Sequence, residues 1–207
     1  VETTVRGLAA VLEGEVLARV EPRRADLRRQ IPVDLRQRLT GARVIALRRR
    51  AKYGLIDTDR GDTLVFHLGM SGRWRVDPGE IEKHDHLVIE TQQGRIVALN
   101  DHRRFGSLDL METAAVAGWP TFAALGPEPL SDAFSYRTLA AAFDGRVASI
   151  KALLLDQRVV AGLGNIYACE ALYRAHLSPR RLAATLATKK GETTDHARRL
   201  VEEIHAV

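Results

Sequence analysis

The spacing of apolar residues changes along the 207-residue chain, and this change constrains the fold more than any single motif. Up to Glu112, short runs rich in β-branched and aromatic residues follow one another with only turns between them. These runs are VLARVE, RVIALRRR, YGLIDTD, TLVFHLG, RWRVD, HLVIET, RIVALN and SLDLME. Strands in succession without long helices between them pair antiparallel, which implies a sandwich or a barrel. We predict an antiparallel β-sandwich.

Helical spacing is found on both sides of this β region. Val5, Leu8, Ala9 and Leu12 recur at the spacing of one helix face, and Gly14 follows as a stop. Downstream, helical spacing returns in YRTLAAAF, SIKALLLDQ, NIYACEALYRAHL and TTDHARRLVEEIHAV. The chain therefore predicts an α+β fold that opens with a helix and ends in helices.

The segment GWPTFAALGPEPLSDAF, rich in proline and glycine, separates the two textures. We predict a β-sandwich domain over residues 1–112, a linker over 113–130 and a helical domain over 131–207.

Charge favours a polyanionic partner. Lysine and arginine total 31 against 26 acidic residues, which gives a net charge of +5. No apolar run approaches the roughly 18 residues that span a bilayer, and VETTVRGL does not have the form of a signal peptide. We expect a cytoplasmic protein without a membrane partner.

A single cysteine, Cys169, excludes an internal disulfide and a cysteine-rich zinc site made by this sequence alone. We expect Cys169 to be a small buried residue on a helix.

The segment RVVAGLG separates two helical runs. Gly162 and Gly164 permit backbone conformations that other residues avoid, and Asn165 stands where the next helix begins. Free amides at a helix start form a ready phosphate site. A plain helical hairpin with Asn165 as the cap of its second helix is the equal alternative.

DQRVVAGLGNIYACEALYRAHLSP resembles the helix-two-turns-helix motif of the bacterial formamidopyrimidine-DNA glycosylases. Other segments resemble the same family in the same order: VETTVRGL, RRRAKYGLI, HLGMSG, KHDH, DHRRFG and LGPEPLS. The resemblance implies a repair enzyme that removes oxidised purines such as 8-oxoguanine from duplex DNA. The family then nicks the abasic strand by β,δ-elimination through a Schiff base on an N-terminal proline.

An enzyme that turns a base out of the duplex must fill the hole left behind. The resemblance assigns this wedge to Met70, Arg103 and Phe105, with Arg103 facing the opposite base and Arg104 a backbone phosphate. His102 departs from the family, which usually has proline there. The alternative is that Phe105 belongs to the core and the arginines are solvated.

For Lys52 the resemblance implies a catalytic role, an ammonium that assists proton transfer during β-elimination; the alternative is one more exposed basic residue. His67 matches a phosphate-contacting position, although it also suits a core histidine. His84 matches a DNA-surface position. His84 and His86 would share one face of a strand, but a metal site needs a third ligand.

In the helical domain, Arg146 and Asn165 match DNA-contacting positions, and Lys151 is expected to add to them. The implied partner is double-stranded DNA that contains an oxidised base or an abasic site. We expect a monomer associated with the bacterial nucleoid.

The family pattern continues beyond both ends of this sequence. Family members carry Pro-Glu-Leu-Pro-Glu before the valine matched by Val1, and a four-cysteine zinc finger after the helical domain. We expect the chain as written to lack the nucleophile, to bind no zinc itself and to be inactive alone.

Three other functions remain open at this stage. An oxidised-pyrimidine glycosylase of the same superfamily would differ in the wedge, and Met70, Arg103 and Phe105 favour the purine branch. A non-catalytic DNA-binding paralogue would lack Pro-Glu upstream of Val1. An RNA-binding module with a similar helix pair would not need the β domain.

Overall fold

The structure, a computed structural model, describes residues 1–187 and 194–207. It divides into two compact units, Val1–Trp119 and Pro120–Val207. The domain limits predicted at residues 112 and 131 stay a prediction. The helix predicted from Thr193 onward begins with a residue outside the described ranges.

The first unit opens with helix α1, Glu2–Leu12, which buries Val5, Leu8, Val11 and Leu12 on one face. The predicted helix is therefore confirmed. A short helix α2, Leu35–Leu39, was not predicted because five residues are too few to show a periodicity.

All eight predicted strands are present. They are β1 (Leu17–Pro22), β2 (Val44–Arg50), β3 (Tyr53–Thr58), β4 (Asp62–His67), β5 (Arg73–Val76), β6 (Asp85–Thr91), β7 (Ile96–Asn100) and β8 (Ser107–Glu112). A 3₁₀ turn follows at Thr113–Ala115.

The strands form two four-stranded antiparallel sheets, in the orders β1-β6-β7-β5 and β2-β3-β4-β8. Both sheets contribute to one core: Leu87 and Leu99 come from the first, and Ile56 and Phe66 from the second. The Phe66 ring meets Trp74 of the first sheet edge-on, with centroids 5.4 Å apart. This is the predicted sandwich. The chain crosses between the sheets after β4 and again after β7, and these two crossings position the site.

The second unit is helical, with its own core. Its helices are α3 (Pro120–Ala123), α4 (Tyr136–Phe143), α5 (Ile150–Leu155), α6 (Asn165–Arg174) and α7 (Asp195–Ala206), with a 3₁₀ turn at Ala183–Leu186. Hydroxyl caps begin three of them: Ser135, Ser149 and Thr194 each accept from an amide in the first turn. Within the described ranges, no helix is long and apolar enough to cross a membrane.

Candidate nucleic-acid interface

Two loops of the first unit carry the predicted wedge. Residues 68–72 connect β4 to β5 and hold Met70, while residues 101–106 connect β7 to β8 and hold Arg103 and Phe105. Met70 is 74% exposed and Phe105 is 42% exposed, so the core interpretation of Phe105 is wrong. The Arg103 guanidinium lies over the Phe105 ring, 4.6 Å from its centroid. This cation–π contact presents the ring and the charge together.

The two loops touch through their backbones at Gly69. Its φ is +61°, and a Cβ there would lie 2.5 Å from the carbonyl carbon of Phe105. No L side chain fits this approach without moving the backbone. Met70 is thereby held next to the loop of Arg103 and Phe105.

Arg104 has a left-handed backbone, with φ of +57°. A non-glycine residue in this region is uncommon and is found where the surroundings impose it. Its Nη1 lies 3.8 Å from Oδ1 of Asp26, an exposed pair that contributes little free energy. The guanidinium therefore stays accessible to a phosphate.

Lys52 occupies the tight turn between β2 and β3, after Ala51 with φ of +52°. The side chain is half-buried, and burial lowers the pKa of Lys52 below the ordinary lysine value. The interpretation of Lys52 as an exposed surface base is therefore wrong. A partly desolvated amine gives up its proton more readily, which suits proton transfer.

His67 ends β4 opposite Tyr53 of β3, with ring centroids 4.8 Å apart. Burial, followed by the positive charges of Lys52, Arg28 and Arg29, lowers the pKa of His67. The Gly69 N–H donates to Nδ1 at 3.0 Å, so the proton of the neutral ring lies on Nε2. A neutral histidine with Nε2–H is a donor for a phosphate oxygen.

Sequence reasoning missed the arginines next to His67. Arg29 forms an ion pair with Asp109, and its guanidinium lies 5.8 Å from the Trp119 ring centroid. The Arg28 side chain is exposed, and the Arg28 backbone N–H donates to the carbonyl of Gly106 at 3.0 Å. The adjacent arginines in ADLRRQ were the available sequence signal for a basic site. Because this loop has no periodicity, its sequence could not indicate that they lie near His67.

His84 precedes β6 and His86 lies within it, so the predicted shared strand face is only partly present. His84 lies edge-on to His86 and to His102, at 6.1 and 6.5 Å between centroids. His86 is buried and donates from Nε2 to the carbonyl of Asp101 at 2.9 Å; burial lowers the pKa of His86. Among the described residues, no group of three or more His, Cys, Asp or Glu is arranged to hold a metal ion.

In the second unit, helix α6 begins without a side-chain cap. Gly164 is its N-cap and Asn165 its first residue, which is exposed, so the capping interpretation of Asn165 is wrong. Gly162 has φ of +92°, whereas Gly164 at −114° is extended as any residue can be. The free amides at the start of a ten-residue helix are the predicted anion site.

Cys169 is exposed, which contradicts the expected burial. It lies one turn after Asn165, and its Sγ is 3.8 Å from the Asn165 Oδ1. Both residues therefore share the outward face of α6.

Gln157 holds the loop before α6, and sequence reasoning missed it. Its Nε2 donates to the carbonyls of Leu155 and Leu163, at 3.1 and 3.0 Å, and its Oε1 accepts from the Gly162 N–H at 2.8 Å. The Gly126 N–H donates to its backbone carbonyl at 2.9 Å. One amide side chain thus links the end of α5 to the start of α6.

The remaining predicted contacts lie near the start of α5. Arg146 is exposed in the turn after α4, and Lys151 is partly buried in the first turn of α5. Ala183 and Ala184 donate to the carbonyls of Ala148 and Arg146, which fixes the approach to this helix. Arg146 and Asn165 both belong to the second unit and are exposed.

Two family models match the chain. The formamidopyrimidine-DNA glycosylase N-terminal domain matches residues 1–108, and the formamidopyrimidine-DNA glycosylase H2TH domain matches residues 125–206.

Among curated proteins, the formamidopyrimidine-DNA glycosylase of Novosphingobium aromaticivorans is 66% identical over 87% of this chain and 67% of its own length. That of Rhizorhabdus wittichii is 60% identical over all of this chain and 74% of its own length.

Solved structures agree with these relatives. The Lactococcus lactis Fpg in complex with DNA that contains an abasic site has a TM-score of 0.87 and 28% identity, over 98% of this chain and 73% of that one. The MutM (Fpg) protein from Thermus thermophilus has a TM-score of 0.84 and 35% identity, over 100% and 72%. The chain belongs to the formamidopyrimidine-DNA glycosylase family.

Proposed function

We propose that the protein is a DNA glycosylase of base excision repair that removes oxidised purines from duplex DNA and nicks the abasic strand. Its membership of the family supports the reaction class. The observation that carries the proposal is the exposed group of Met70, Arg103 and Phe105 on two touching loops. Exposed apolar side chains beside an arginine suit insertion into a base stack.

The wedge would act once the damaged base leaves the duplex. Phe105 and Met70 would replace lost stacking, and Arg103 would reach the base opposite the lesion. Relatives support such a partner: Lactococcus lactis Fpg is described in complexes with abasic-site DNA and with N7-benzyl-Fapy-dG DNA. Binding energy that arises only after displacement favours damaged over intact DNA.

Lys52 and His67 would serve the sugar and phosphate of the displaced nucleotide. The lowered pKa of Lys52 supports a role in proton transfer, and the neutral ring of His67 supports donation to phosphate. His84 and Arg104 would bind the backbone of the same duplex. In the second unit, Arg146, Lys151 and the α6 start at Asn165 would bind further phosphates.

The zinc of family members does not fit the residues of this chain. The sequence has one cysteine, whereas the family finger uses four. No step of the proposed reaction passes through that metal.

Excision of 8-oxoguanine tests the proposal. The 207-residue chain is compared with the same chain preceded by Pro-Glu-Leu-Pro-Glu and followed by a family zinc finger. We expect strand cleavage and borohydride trapping with the extended protein and not with the shorter one, because an N-terminal secondary amine is far less protonated at neutral pH than a lysine. Equal trapping by both proteins would place the nucleophile among the amines of the 207-residue chain, with Lys52 the first to test, and no excision by the extended protein would overturn the proposal.

A further inference from the structure

The carboxylate of Asp101, the first residue of the β7–β8 loop, links the two loops that carry the wedge. Asp101 is only 1% exposed. Its Oδ1 accepts from the Ser71 hydroxyl at 2.6 Å, and its Oδ2 accepts from the Gly106 N–H at 2.8 Å. Ser71 follows Met70 directly, and Gly106 follows Phe105 directly. Each oxygen therefore holds one loop next to a wedge residue.

The backbone of Asp101 is fixed as firmly as its side chain. Its N–H donates to the His84 carbonyl at 3.0 Å, and its carbonyl accepts from His86 Nε2 at 2.9 Å and from the Arg104 N–H at 3.2 Å. These bonds anchor Asp101 to the start of β6 in the first sheet. Both loops are crossings between the sheets, so this one residue ties the two crossings to a rigid strand.

We propose that Asp101 is a positioning residue that makes the two loops one rigid body, so that Met70 enters the duplex together with Arg103 and Phe105. This inference rests on the proposed function, because it concerns the same wedge. Side chains ordered before binding lose less conformational entropy when they insert. The carboxylate would supply that order without touching DNA.

The geometry of the site suits a carboxylate. The Gly106 N–H and the Ser71 hydroxyl both donate to Asp101, and an ionised carboxylate accepts with both oxygens. Asp101→Ala removes both acceptors and therefore both links. Ser71→Ala removes only the link to the loop of Met70, at a half-buried position and with no change of charge.

The test uses DNA binding by the 207-residue chain, which needs no nucleophile. A duplex carries a tetrahydrofuran abasic analogue opposite 2-aminopurine, whose fluorescence rises when it is unstacked. For Ser71→Ala we expect the rise to fall by about half and affinity for this duplex to fall about fivefold, the size of one net hydrogen bond, and for Asp101→Ala we expect losses at least as large. Affinity for intact duplex should stay within about twofold, because phosphate contacts dominate it.

Asp57 offers a matched control. It is buried and accepts from the Thr63 hydroxyl at 2.6 Å, at the opposite end of the β3–β4 pairing from His67. Asp57→Ala should lower thermal stability and leave the 2-aminopurine signal unchanged. Ser71→Thr, which keeps the hydroxyl, should retain the 2-aminopurine fluorescence of the wild-type chain.

A double mutant separates positioning from general loss of stability. If the clamp acts through the wedge, Ser71→Ala should have little further effect on the fluorescence in a Met70→Ala background. Fully additive losses, or wild-type fluorescence in both Ser71→Ala and Asp101→Ala, would overturn the inference. No preference of the wild-type chain for the abasic duplex, with no fluorescence rise, would instead count against the proposed function.

Discussion

At the scale of the residue, Phe105 shows why local sequence is ambiguous. An aromatic residue close to strand runs is ordinarily core, yet this ring is 42% exposed. Strand β7 ends at Asn100, so residues 101–106 lie outside the alternation that would turn Phe105 inward. The adjacent Arg103 covers the ring with its charge, which stabilises an exposed aromatic group in water.

Phe105→Ala should reduce binding to an abasic-site duplex by about tenfold and binding to intact duplex by less than about twofold, since the wedge contributes only after displacement. Fluorescence anisotropy with both duplexes measures the difference. Ile45→Ala removes another exposed apolar side chain, on β2, and should change neither affinity. Equal losses with both duplexes would contradict the wedge role.

His86 makes folding stability depend on pH. Burial lowers the pKa of His86 in the folded protein, so between that pKa and the unfolded value near 6.5 the unfolded chain binds the extra proton. Stability is therefore fully present above about pH 6.5 and is lost as pH falls through the folded pKa. The pKa of His67 is also lowered, so His67 contributes to the pH dependence of stability in the same direction.

We expect the thermal midpoint of unfolding to decrease as the pH is lowered from about 7.5 to 5.5. The decrease should be smaller in His86→Asn, because one proton-linked group is removed. Differential scanning calorimetry across this range measures both slopes. A slope unchanged by the substitution would show that His86 is not the linked group.

At the scale of the element, helix α6 depends on the loop that precedes it. No side chain caps its start. Instead, three hydrogen bonds of the Gln157 side chain hold the preceding loop in place. The amides that we propose to bind a phosphate are therefore positioned from outside the helix.

Gln157→Ala should lower the free energy of unfolding by about 1–3 kcal/mol, because a partly buried amide N–H and two carbonyls lose their partner. Affinity for duplex DNA should also decrease, and the dependence of log K on log salt concentration should become shallower because a phosphate contact is lost. Chemical denaturation and anisotropy titrations measure the two effects. Gln93→Ala, at an exposed position in the β6–β7 turn, is the control. If the Gln157→Ala protein is destabilised but its affinity for DNA is unchanged, this loop has no role in DNA binding.

At the scale of the whole molecule, the net charge of +5 does not show which basic side chains are paired with acids and which are accessible. Many arginines are engaged by acids, as Arg38 is by Asp62 and Arg75 by Asp85. Exposed Arg28 and Arg146 and the weakly paired Arg104 have no such strong pair among the described ion pairs. The cations available to DNA are thus fewer than the composition implies.

Binding of this chain to duplex DNA should weaken as salt rises, by about 0.9 in log K per phosphate neutralised per log unit of salt. Titrations between about 50 and 200 mM salt measure the slope. Combining Arg28→Ala with Arg146→Ala should make it shallower, whereas Arg6→Ala, whose partner is Glu2, should not. A flat response would contradict a phosphate-based interface.

Much of the fold was predictable because it depends on local periodicity. Alternating strands and helical spacing predicted the opening helix, all eight strands and the helical second half. Helix α2 and the loop held by Gln157 were missed, since neither has a period. The resemblance located Met70, Arg103 and Phe105, but their roles stay predictions.

The sequence by itself determined the class of fold and the family, because both are written in short contiguous patterns. Only the tertiary structure decided which side chains are exposed, which are desolvated and which meet. The contact of Ser71 with Asp101 joins residues thirty positions apart, and no local pattern predicts it. The lowered pKa of Lys52 has the same origin, since burial is a property of the packed chain and not of the turn in which the lysine lies.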